Sequence, residues 1–82
     1  MKYLLIFKNT MDAIKGEKIL SEKKLIIEVM PTPTSITKSC GISILVKEED
    51  FTLVKDLIYD NKILVNHIYL MENNICKDEI KL

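Results

Sequence analysis

The chain contains no arginine: all 12 of its basic residues are lysine, balanced by 12 aspartates and glutamates. Without a guanidinium there is no planar fork for bidentate contact with phosphate or guanine. The lysines also alternate with acids instead of clustering, which leaves no steering patch for nucleic acid or for an acidic membrane. Glycine and proline are scarce, at two residues each, which excludes a fibrous or low-complexity chain. The two cysteines, Cys40 and Cys76, lie too far apart for a CxxC redox pair, and adding His67 still supplies too few ligands for a metal. No metal and no cofactor are expected. The opening MKYLLIFKNT has only five consecutive apolar residues, too short for a signal-peptide core and far below a membrane span. A cytoplasmic location is expected, in which both cysteines stay thiols.

What is present is the composition of one packed domain: 82 residues, 48% apolar and 29% charged, near the lower limit of what a single core supports. Lys2–Phe7 reads as a first buried strand. Asn9 or Thr10 can cap a helix over Met11 to about Glu22, where Asp12 suits the positive end and Ala13, Gly16 and Leu20 share a face. Gly16 on that face suggests close approach of helix to sheet. Leu25–Met30 is a second strand, ended by Pro31 and Pro33, and Gly41–Val46 is a third. Glu48, Glu49 and Asp50 then open a second helix with Phe51, Val54, Leu57 and Ile58 at helical spacing. Leu64–Leu70 gives a fourth strand that alternates Val65, His67 and Tyr69 on one side with Asn66 and Ile68 on the other. The spacing of Ile75, Glu79 and Leu82 suggests a tail or short helix over 71–82, outside a single domain over 1–70. Tyr3, Phe7 and Phe51 read as core.

The order βαββαβ predicts an α+β, ferredoxin-like sandwich: a four-stranded antiparallel sheet, order 4-1-3-2, with two helices on one face. In that topology the turn after the first strand and the loop between the second and third lie at one end of the sheet. Lys8, Asn9 and Thr10 then neighbour the loop that runs from Pro31 and Pro33 to Lys38, Ser39, Cys40 and Gly41. A helix N-terminus carries partial positive charge and free N–H groups, which favour a thiolate, and Lys8 and Lys38 add to the effect. From an ordinary pKa of about 8.5, lowering by one unit raises the ionised fraction at neutral pH about ten-fold. Gly41 lets a partner's backbone approach. The plainer reading of a cysteine at a strand start is a small buried hydrophobe. Cys76 reads as an incidental thiol, with resolving or accepting from Cys40 as its other use. His67 reads as a packed or half-exposed histidine rather than a base. Thr32, Thr34, Ser35, Thr37 and Ser39 read as turn and capping residues.

Phe7 at the end of the first strand, Thr10, Ala13 and Glu17 on the first helix, Pro31-x-Pro33 after the second strand, and Ser39-Cys40-Gly41 opening the third together carry a resemblance. Over roughly Lys2 to Leu70 the chain resembles the small bacterial family described as putative Se/S carrier protein-like. It departs from the family's pattern at Thr34, where an arginine is typical, and at Met11, where histidine is frequent. The resemblance implies a non-catalytic carrier in which Cys40 accepts sulfur or selenium as a persulfide or selenopersulfide. The donor would be a protein such as a cysteine desulfurase, and an acceptor protein would receive the cargo.

The other reading is a small-molecule-binding or interaction module without catalysis, a homodimer through the open sheet face or an edge strand, with Cys40 structural. Neither reading makes the chain an enzyme with turnover of its own, because no Ser-His-Asp or paired-carboxylate arrangement is evident. An RNA-recognition module is excluded because the third strand, GISILV, has no aromatic on which a base would stack.

Overall fold

The computed structural model describes residues 1–33 and 41–82. Its elements run β1 (Lys2–Ile6), α1 (Thr10–Glu22), β2 (Ile27–Pro31), β3 (Ile42–Lys47), a 3-10 turn (Glu48–Asp50), α2 (Phe51–Tyr59), β4 (His67–Glu72) and β5 (Ile75–Glu79). The strands form one sheet in the order β2-β3-β1-β4-β5, and every neighbouring pair is antiparallel. The first four strands therefore take the order expected of a ferredoxin-like sandwich.

The strand count is five, which corrects the expectation of four, and the residues expected to form a tail or short helix supply the extra strand. Asn73 and Asn74 both have left-handed backbone, with φ of 53° and 65°. Consecutive left-handed residues make the tight turn whose twist suits a hairpin, and asparagine tolerates that conformation. The chain thus folds straight back on β4, with a register irregularity between Tyr69 and Met71. The Ile80 N–H donates to the Ile68 carbonyl at 2.8 Å and extends the pairing.

Alternation along the strands sorts two apolar layers. Leu5 lies across from Ile44 and Ile68 in the register, and these pack with Ala13 and Leu20 of α1 and with Phe51, Val54 and Leu57 of α2. Both helices therefore cover the same face, where Tyr3 and Phe51 stack with ring centroids 3.9 Å apart. Each fully buried side chain of this kind contributes roughly 1.5–3 kcal/mol. On the opposite face Leu4, Ile6, Leu45 and Met71 form a second buried cluster, flanked by Met30, Tyr69 and Cys76.

Local chemistry sets the helix limits. Asn9 has extended backbone and caps α1, accepting at Oδ1 from the Asp12 N–H at 2.8 Å. At the far end Lys24 is left-handed (φ 63°), the Lys24 N–H donates to the Ser21 carbonyl, and the Leu25 N–H donates to the Leu20 carbonyl. This paired arrangement is the Schellman ending of a helix. Asn61 ends α2 in the same way, its N–H donating to Ile58 and that of Lys62 to Leu57. The acids Glu48, Glu49 and Asp50 form the 3-10 turn that leads into α2, so that the α-helix proper begins at Phe51.

Gly16 explains how closely α1 meets the sheet. A Cβ at this position would lie 2.9 Å from Cε1 of the fully buried Phe7. The close approach suggested by the sequence is a real contact.

Candidate functional site

Three pairings of the register define one end of the sheet. Ile6 pairs with Ser43 of β3 and with His67 of β4, and Pro31 pairs with Ile42. The end of β1, the end of β2 and the starts of β3 and β4 therefore coincide. Lys8 and Asn9, which follow β1, are exposed, as is Thr10 at the start of α1. Gly41, exposed, precedes Ile42 at this same end, and Pro31 and Pro33 leave β2 beside it. Lys38, Ser39 and Cys40, together with Thr34, lie outside the described residues.

The geometry of what surrounds the loop is specific. Within the first turn of α1, Asn9 takes the Asp12 N–H through its side chain and the Ala13 N–H through its carbonyl at 3.2 Å. The N–H groups of Thr10 and Met11 begin the helix and have no intrahelical acceptor. Gly41 is not held in left-handed backbone, and among the described residues a Cβ added there would meet nothing within 4 Å. Crowding within the described chain does not require this glycine.

Sequence reasoning passed over a hydroxyl pair at the root of the loop. Ser43 is fully buried, the one buried polar side chain among the described residues, and its Oγ shares a 2.7 Å hydrogen bond with Oγ1 of Thr32. The available signal was a serine set between Ile42 and Ile44 in a strand buried on both faces.

His67 is half-exposed, as the sequence suggested, and its Nδ1 lies 2.8 Å from Oε2 of Glu79. Lys81 donates to the same carboxylate oxygen at 3.0 Å. The hydrogen bonds from His67 and Lys81 hold the Glu79 carboxyl below the usual carboxylate range. Cys76 sits on β5 with its Sγ 3.2 Å from Sδ of Met71, and burial pushes its thiol up from the ordinary value. Its thiolate fraction at neutral pH is smaller than that of a free cysteine. Among the described residues no group of three or more His, Cys, Asp or Glu is placed to hold a metal ion. No helix there is long and apolar enough to cross a membrane.

Fold and site thus define a small α+β domain in which the end of β2 and the start of β3 lie at the same end of the sheet as the turn from β1 into α1. The chain belongs to the family described as Putative Se/S carrier protein-like, whose match covers residues 2–70. That span runs from β1 to within β4 and leaves β5 beyond it. No curated protein and no solved structure matches the chain.

Proposed function

We propose that this protein is a sulfur or selenium carrier that holds its cargo on Cys40. The observation that carries this is membership of the family over residues 2–70, a span that includes Cys40 and Gly41. Among the described residues nothing lies within 4 Å of a Cβ placed on Gly41, which supports it, because a donor must bring its own persulfide against the neighbouring thiol.

The transfer is an exchange without net redox change. The Cys40 thiolate attacks the outer sulfur or selenium of a donor persulfide or selenopersulfide. A new bond forms at Cys40, the donor's S–S or S–Se bond breaks, and the donor leaves as a thiolate that takes up a proton. An acceptor thiolate then attacks the same outer atom and releases Cys40. Donor and acceptor are proteins, the donor being of the cysteine desulfurase kind, and the exchange suits the cytoplasm, where Cys40 stays reduced. Lys8, Asn9 and Thr10, at the end of the sheet where β3 starts, support the anionic forms of the thiol with Lys38.

The test is incubation with a cysteine desulfurase and cysteine or selenocysteine, followed by intact mass. Gain of one sulfur or selenium, absent in Cys40→Ser, is expected. No gain, or equal gain in Cys40→Ser, refutes the proposal.

A further inference from the structure

At the start of β4 the chain's one histidine lines a cleft of about 300 Å³, walled on its apolar side by Ile58 of α2 and by Val65, Ile68 and Ile80. That volume is at the lower end for small-molecule sites and suits a ligand of few atoms. The bond from the Ile80 N–H to the Ile68 carbonyl holds the end of β5 alongside β4, and Glu79 and Lys81, on either side of Ile80, both line the cleft. His67 Nδ1 at 2.8 Å and Lys81 Nζ at 3.0 Å converge on one carboxylate oxygen of Glu79. Glu79 is held ionised by these bonds and a carboxylate can only accept, so the imidazole hydrogen sits on Nδ1. Nε2 is then the nitrogen left over, and among the described residues it has no partner. Lys81 likewise keeps N–H groups beyond the one given to Glu79.

We infer that this cleft binds a small aliphatic monocarboxylate: the head group accepts from His67 Nε2–H and from Lys81, and the hydrocarbon lies against the isoleucines and Val65. The charges set the class. Protonated His67 and Lys81 against Glu79 leave one net positive charge, which one carboxylate neutralises, whereas a phosphate dianion would bring an unmatched charge up to Glu79. An alcohol of the same length fills the apolar part but uses neither cation. Glu79 fixes the tautomer and orientation of the ring and is a positioning residue here. Where His67 is neutral, the ligand binds together with a proton taken onto Nε2 from water. The titratable or charged groups set against His67 are Glu79 and Lys81 on the β5 side and Tyr69 on β4, whose ring centroid is 6.3 Å away. Ile6, its partner on β1, and Ile58 of α2 carry no charge. A clasp that merely held β5 would need the Glu79 bonds and leave Nε2 and the cleft unused. The site does not involve Cys40 and is independent of the carrier proposal.

The experiment follows the His67 Cε1–H signal by NMR against pH, with and without sodium hexanoate; one histidine gives one signal. A saturable shift is expected, with a Kd on the order of 1 mM, and the midpoint of the titration is expected to rise by about half a pH unit at saturating hexanoate. The methyl signals of Ile58 and Ile80 report binding in variants, which is expected to weaken about tenfold in His67→Gln and about threefold in Lys81→Ala. His67 is half-exposed and Lys81 exposed, so neither change opens the core. Hexan-1-ol and inorganic phosphate are expected to bind at least about tenfold more weakly than hexanoate. No saturable shift with hexanoate, equal affinity in His67→Gln, or a midpoint that hexanoate leaves in place overturns the inference. Hexan-1-ol or phosphate binding as tightly as hexanoate overturns it too.

Discussion

Gly16 of α1 and Phe7 at the end of β1 are in contact so close that the missing Cβ would sit 2.9 Å from the ring. The helix is thereby drawn onto the sheet at the point where the chain turns from β1 into the cap at Asn9. Gly16→Ala gains about 1 kcal/mol of helix propensity and loses about 1–3 kcal/mol to overpacking against the buried ring. We expect a net destabilisation of about 1 kcal/mol by denaturant melts, and more for Gly16→Val. A more stable Gly16→Ala would mean that the Phe7 ring tilts away at little cost.

Lys24 occupies the left-handed position of the Schellman ending of α1, a place glycine fills without steric penalty. Lys24→Gly should stabilise the domain by roughly 0.5–1 kcal/mol, offset in part by the greater freedom of glycine in the unfolded chain. Thermal melts of the two proteins check it.

The Glu79 carboxyl is lowered by hydrogen bonds from His67 and Lys81. A depressed folded-state pKa gives stability that is fully present above the unfolded value and is lost as pH falls through the folded value. Glu79→Gln should therefore melt below the parent at neutral pH, with the gap closing in acid below about pH 4. A gap that stays constant across that range would mean the His67–Glu79 contact contributes no charge-dependent stability.

Cys76, desolvated and set against Met71, should be the slower thiol. In Cys40→Ser, alkylation of Cys76 followed by mass is expected to be slow at neutral pH, with its midpoint above the ordinary thiol value. Fast labelling at neutral pH would show that β5 opens readily from β4.

The sequence made most of this fold legible because apolar alternation and capping residues agree with the final packing. Asn9, Asp12 and the Ala13–Gly16–Leu20 face place α1, and Pro31 ends β2 where a donor is removed. β5 was misread because Ile75, Glu79 and Leu82 fall at helical spacing. The stronger signal was Asn73-Asn74 between HIYLME and ICKDE, a two-residue hairpin turn. Missing β5 also hid the partner of His67, since Glu79 reaches it only when the chain folds back. The shared end of the sheet followed from topology alone, whereas the Thr32–Ser43 bond depends on the β2–β3 register, in which Met30 faces Ser43. A one-residue slip would send Ser43 to the other face.

The most direct test of the carrier proposal is to load the protein from a cysteine desulfurase with labelled sulfur or selenium and locate the label by peptide mass. We expect one atom per chain, on the peptide that contains Cys40, released when an acceptor thiol is added. Label on Cys76 alone, or none on a protein whose Cys40 is free and alkylatable, would contradict it.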